Sequence, residues 1–320
     1  MTTSTTWQKA LAIGLRRGTV FLILLTLGLF FASTSDRFLQ ERNLTNILVQ
    51  NAHIIVVTMG MALTMLTAGI DLSVGSVAAL AGAISAGVIV RDGVPVGLGM
   101  AVGLALGAAL GAVNGLLIVY GRLPPFVATL AMLSVARGLT LVYTEGRPIA
   151  GMGDEYTFWS RGQIGPVPAP VVVWVVVVLV VWLLLTRTRF GLHIYAIGGH
   201  EQTARLAGVR VNRIKVLTYT ISGLLAALGG LLLTARVYSA QPQAAVGLEL
   251  DAIAAAVLGG VSLFGGVGSV LNAVVGALLV GVLGNGMNLL RVPSYPQQVI
   301  QGVVLVLAVM VDMYTKRLER

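Results

Sequence analysis

Apolar runs on the order of 18 residues or more recur along this chain, and that recurrence narrows the folds open to it more than any other feature. Each run can bury its backbone polar groups in hydrocarbon only as a helix, so the chain reads as an all-α, polytopic helical membrane protein. Ten apolar segments can be drawn, at roughly 18–33, 44–68, 73–90, 95–121, 124–143, 168–186, 216–235, 250–263, 269–290 and 297–313. They predict about ten transmembrane segments in a single membrane domain spanning 1–320. The segment 250–263 is too short to cross untilted, which marks it as broken or re-entrant. Composition agrees: 57% of residues are hydrophobic and only 10% charged, far from the balance of a soluble domain. Forty glycines suit helices that approach one another closely.

The net charge of +9 does not point to nucleic acid, because the basic residues stand at segment ends rather than on one face. Of the 21 Lys and Arg, thirteen fall on one side if the chain starts in the cytoplasm, and seven on the other with most of the acids. Terminal Lys9, Arg16, Arg17, Lys316, Arg317 and Arg320 lie on the richer side, so both termini are expected in the cytoplasm. The basic first segment lacks a small-residue cleavage site and reads as a retained helix. Zero cysteines exclude disulfides, thiolate metal sites and cysteine nucleophiles.

One polar stretch, residues 187–215, separates two strongly apolar blocks and carries six basic residues against the single acid Glu201. Within it, residues 200–207 have the composition for about two helical turns. Gly199 precedes them, Glu201 and Arg205 are spaced i,i+4, and Gly208 stands where a left-handed glycine ends a helix. A helix this short needs something to pack on, and Ala204, Ala207 and Gly208 offer it a small-residue face. The stretch reads as a docking piece for a cytoplasmic partner, or as a basic loop that only sets topology.

Elsewhere, Asp71 lies between two apolar segments with Ser73 and Ser76 beside it. It suits a cap on the helix beginning near residue 72, or a proton relay. Arg137 sits inside an apolar segment, as a functional cation or as a side chain that snorkels to the interface. Asn114, Asn272, Asn285 and Asn288 read as buried amides, and Glu249 and Asp251 as acids in a first helical turn. The loop 144–167, with Tyr156, Phe158 and Trp159, is a surface for an external partner or an interfacial aromatic belt. The segment 69–77 (GIDLSVGSV) is echoed at 260–270 (GVSLFGGVGSV), as in transporters with repeated, interrupted helices. No G-x-x-x-x-G-K-[ST] occurs, no Gly-Lys pair exists, and the three histidines form no metal-ligand cluster. No nucleophile–base set can be assembled, so the chain is not expected to be an enzyme.

Several of these stretches together resemble a known family. GMALTMLTAGIDLSVGS (60–76), IGGHEQTARLAG (197–208), SAQP (239–242) with ELDAIAAAVLGG (249–260), and NGMNLL (285–290) are similar to sugar permeases of ATP-binding-cassette importers, nearest their ribose branch. The resemblance runs from about residue 40 to the C-terminus. It implies a paired permease in the bacterial inner membrane, usually a homodimer, that moves a ribose-like pentose by alternating access. It also implies a periplasmic sugar-binding protein outside and an ATP-binding subunit inside, which holds the ATP and magnesium. By that resemblance Gly199, His200, Glu201, Thr203, Ala204, Arg205, Leu206 and Gly208 form a coupling helix seated on the ATPase. Asp71, Ser73, Asn114, Arg137, Gln241 and Asp251 are candidates for the path or its helix breaks. His200 and Ala207 depart from the asparagine and serine common among relatives. Two rival expectations are an ion-coupled secondary transporter using Asp71, and a substrate-free scaffold or channel subunit.

Overall fold

The computed structural model describes residues 6–319. The chain opens with α1 (Thr6–Thr34), α2 (Glu41–Gln50), α3 (Ala52–Leu66), α4 (Val74–Val90), α5 (Val96–Val119) and α6 (Pro125–Thr144). A loop region follows with β1 (Ile149–Ala150), α7 (Asp154–Arg161), β2 (Gln163–Ile164) and β3 (Val167–Pro168). Next come α8 (Ala169–Arg187), α9 (Arg189–Gly199), α10 (Glu201–Leu206) and α11 (Val211–Val237). The chain ends with β4 (Ser239–Ala240), α12 (Leu248–Leu258), α13 (Val270–Leu289) and α14 (Ser294–Glu319). The two-residue strands only pin loops, pairing β1 with β4 and β2 with β3 antiparallel.

The apolar segments fall on helices, the run 44–68 on two of them, and the helices are not equivalent. Among the described residues, α5, α6, α8, α11 and α13 are long and apolar enough to cross a membrane. A sixth span follows if α2 and α3, bent by 43° at Asn51, are one unit. The 11-residue α12 rises about 16 Å, roughly half the hydrocarbon thickness, as its short apolar run predicts. The side chains of Lys9, Arg16, Arg17, Lys316, Arg317 and Arg320, on which the sidedness expectation rests, lie outside the described residues.

The centre of the molecule is α11, flanked by α3, α4 and α5. Thirteen of the fifteen α3 residues are buried, so this helix is sheathed by protein all round. By contrast α5 buries one stripe, Gly99, Gly103, Gly107, Gly111 and Gly115, and exposes Leu98, Val102, Val113 and Leu116. The stripe repeats every four residues and so lies along one face. An added Cβ at Gly107 would lie 2.5 Å from the Gly223 carbonyl, which shows that backbone meets backbone there. That close approach gives the packing contacts which hold helices together in lipid, where no hydrophobic force acts between them.

The loop after α6 corrects the sequence reading at Tyr156. Tyr156 is fully buried among Ala83, Ala86, Ile149, Leu231 and Ala235, so it offers nothing to an external partner. The helix α7 is fastened to the end of α11 instead. Ser160 Oγ donates to the Ala235 carbonyl at 3.0 Å, and the Arg161 guanidinium stacks 3.9 Å from the Tyr238 ring centre. It packs on α8 and α11 through its buried side, while Phe158 on the same helix stays exposed.

Candidate functional site

The polar stretch after α8 folds as two short helices that meet at His200. This residue ends α9 and, with extended backbone, begins α10. Its Nδ1 accepts from the Thr203 amide at 3.2 Å, an N-cap made by imidazole in place of the usual hydroxyl or amide. At the other end Gly208 adopts φ +83°, its amide donating to Arg205 and the Val209 amide to Ala204, at 3.1 and 3.0 Å. This pair of bonds around a left-handed glycine is the Schellman ending that the sequence predicts. Glu201 accepts from Arg205 at 3.1 Å, the expected i,i+4 pair, and also from Lys215 at 2.5 Å on the first turns of α11. Partial burial pushes the Glu201 carboxyl up, but Lys215 and Arg205 outweigh it and hold it below its ordinary value of 4.5.

The face assigned to this helix needs correction. Ala204 is buried in the protein's own core beside Ile194, Ile197 and Ile214, so it anchors α10 rather than presenting it. Outward point Gln202, Leu206, Ala207 and Gly208, and Leu206 is 90% exposed. Leu206 therefore makes little contact with its own protein.

A second group of residues gathers at the start of α4. Asp71 is 1% exposed, and its Oδ1 accepts from the Ser73 amide at 3.1 Å and from Ser73 Oγ at 2.6 Å. Its Oδ2 accepts from Ser222 Oγ of α11 at 2.8 Å. Asn114 of α5 donates to Ser73 Oγ at 2.9 Å, while its own Oδ1 and the nearby buried Tyr219 hydroxyl have no hydrogen-bond partner among the described residues. Asp71 is therefore not the N-cap itself, since α4 starts at Val74 with Ser73 before it. It closes a turn two residues ahead and ties the break to α11, and through Ser73 to α5.

On the other flank of the α4 start lies the loop from β4 to α12. Glu249 and the Ala245 carbonyl crowd Gly75, leaving no room for a Cβ. Arg137, half-buried on α6, donates to the carbonyls of Pro242 and Ala244 at 2.8 and 2.9 Å, so it holds this loop rather than snorkelling free. Gln241 is exposed and donates to Ser239 Oγ at 2.7 Å, and Asp251 lies half-buried in the first turn of α12. The structure thus brings Asp71, Ser73, Asn114 and Glu249 around one helix start, with Arg137 bracing the loop behind. Of the other amides, Asn285 makes a reciprocal pair with Asn43 at 3.0 Å, whereas Asn288 is exposed, contrary to its reading as buried. The Lys215 partner of Glu201 and the backbone partners of Arg137 are the contacts that sequence reasoning missed. They are 14 and more than 100 residues away in sequence, beyond any helical spacing signal.

Comparison with known proteins follows the same lines. Residues 43–309 match the family model described as the branched-chain amino acid transport system permease component. The ribose import permease protein of Bacillus subtilis (strain 168) is 48% identical over 294 residues, covering 91% of both chains. That of Escherichia coli (strain K12) is 46% identical over 295 residues, covering 90% of this chain and 91% of its own. The D-allose transport system permease protein of the same strain is 37% identical, covering 92% and 90%. No solved structure matches the chain. The resemblance to sugar permeases carried by the motifs at 60–76, 197–208 and 249–260 thus extends over nearly the whole length. The chain belongs to the permease-component family of membrane transport systems.

Proposed function

We propose that this chain is the membrane-spanning subunit of an ATP-binding-cassette importer that takes up a monosaccharide, a ribose-like pentose. The family model's description names branched-chain amino acids, but near-full-length identity to ribose import permeases favours a sugar. The observation that carries the coupling part of the reading is α10: capped at both ends, anchored inward through Ala204, and presenting Leu206 outward. A free-standing carrier has no use for a pre-organised helix that offers a leucine to solvent. An ATPase subunit on the cytoplasmic face, carrying ATP and magnesium, would receive it and supply the hydrolysis. A periplasmic sugar-binding protein would deliver substrate on the other side.

In this reading the whole chain is one domain of the inner membrane, with ten membrane-inserted segments and both termini in the cytoplasm. Two copies form the permease pair. The residues around the α4 start are candidates for the path, and their hydrogen-bonded carboxylate suits a held helix break better than an ion-coupling site.

Because the chain has no cysteine, a single Leu206→Cys substitution gives one reactive thiol. Co-expressed with its candidate ATPase carrying a cysteine in its receiving cleft, it is expected to cross-link on oxidation. A complex that assembles without this cross-link, but forms one from Leu290→Cys, overturns the assignment of α10.

A further inference from the structure

Just before the capped helix, α9 meets both breaks in the membrane helices at one point. The first break follows α3 at Leu66, and the second is the loop between α12 and α13. Each corresponds to one copy of the echoed segment, 69–77 and 260–270. The turn after α3 takes the Thr64 and Met65 carbonyls through the amides of Gly69 and Ala68, and the Gly266 amide donates to the remaining Leu66 carbonyl at 3.0 Å, so the other break completes the end of α3. Gly265 packs against Ala68, where an added Cβ would lie 2.8 Å from the Ala68 amide.

Two residues of α9, three apart and so on one face, seize this junction. Tyr195 Oη donates to the Gly268 carbonyl at 3.0 Å. Gly198 lies against both the Leu66 carbonyl and the Gly266 amide, with no space for any side chain. Gly266 in turn packs on the Gly199 backbone, 2.7 Å from where its own Cβ would stand. Three stretches of backbone are thus in contact with no side chain between them to flex. A displacement of α9 is borne directly by both breaks.

We propose that Tyr195 and Gly198 are positioning residues that couple α10 to both helix breaks at once, so that one movement at the docking helix shifts the two halves together. This rests on the importer reading above, because it supplies the route by which closure of the ATPase would reach the membrane segments. The consequence is specific. Loosening the junction leaves ATPase docking and hydrolysis intact and lowers the sugar moved per ATP.

The test uses the complete complex in proteoliposomes, with labelled ribose imported and ATP hydrolysed measured on the same vesicles. Tyr195→Phe removes only the hydroxyl and is expected to lower the ratio about fivefold, the population ratio set by one ordinary hydrogen bond. Its ATPase rate should match that of the unsubstituted complex, and its thermal midpoint should fall by no more than the roughly 2 °C that one hydrogen bond is worth. Gly198→Ala is expected to lower the ratio further, while Gly284→Ala, where a Cβ meets only open space, leaves it unchanged. An unchanged ratio in Tyr195→Phe overturns the proposal. So does a proportional fall of uptake and hydrolysis, which signals mere structural damage. Absence of ATP-driven uptake in the unsubstituted complex sinks the importer reading and this inference together, whereas normal uptake with unchanged ratios sinks this inference alone.

Discussion

Replacing Asp71 separates its structural role from a role in ion coupling. Its carboxylate accepts from the Ser73 amide, Ser73 Oγ and Ser222 Oγ, and the site is closed to water. Alanine leaves all three donors without a partner, and each stranded buried donor costs roughly 1 kcal/mol or more, so the loss is about 3 to 5 kcal/mol. Asparagine keeps one oxygen for the two Ser73 donors, and its amide can donate to Ser222 Oγ in place of accepting from it. The Ser222 hydroxyl proton and the second amide hydrogen are then stranded, together at a cost of about 2 kcal/mol. Thermal melts of the purified chain in detergent should place asparagine about 4 °C below the parent and alanine about twice as far. Ser222→Ala combined with Asp71→Asn should cost less than the sum of the two singly, because both act on one bond. In uptake assays asparagine should keep most ATP-driven transport and show no new dependence on a proton or sodium gradient. If Asp71→Asn abolishes uptake while the melt is unmoved, the carboxylate charge acts in transport and the structural account of this break is wrong.

Other consequences are open to direct measurement. His200→Ala removes the cap on α10, at about 0.5 to 1 kcal/mol for an exposed helix, and should speed amide exchange across residues 201–206; His200→Asn should restore protection. Glu201, whose carboxyl titrates below its ordinary 4.5, ties α10 to α11 only while ionised. The tie is complete above pH 4.5 and weakens as the pH falls through the lowered value, so the protection factor at 201–206, which removes the intrinsic pH dependence of amide exchange, should fall in that acidic window and stay flat above it. Leu206→Asp should release the ATPase subunit without moving the melting midpoint of the permease, since the side chain touches little of its own protein. Gly111→Leu drives a side chain into the Tyr219 backbone and should abolish assembly, whereas Leu116→Ala on the exposed face of α5 should assemble normally.

What the sequence makes legible is whatever follows from local spacing. The helix positions come from apolar runs, the end of α10 from Gly208, and the break before α4 from a carboxylate between hydrophobic segments. The glycines of α5 are visible as a four-residue period once the helix is drawn. What stays hidden depends on chain segments far apart in sequence. Tyr156 looks like an interfacial aromatic because its neighbours are polar, yet α7 folds back and buries it against α4 and α11. Ala204 looks like part of a docking face because its neighbours on the helix are small, but the side facing Ile194 and Ile214 is decided by how α9 and α11 converge. Arg137 reads as an isolated cation because its acceptors are backbone carbonyls of a loop more than 100 residues on, where residue identity gives no sign of them. The echoed breaks could be matched as strings, but nothing in the strings says that they touch.

The central claim is that ATP hydrolysed on another chain drives a sugar through this one. Its most direct test is uptake of labelled ribose into proteoliposomes containing this permease, its ATPase subunit and its external binding protein. The account predicts uptake that needs all three components and ATP, and that ceases when Leu206→Asp replaces the parent chain. Uptake by the permease alone, following an ion gradient and indifferent to ATP, would contradict it.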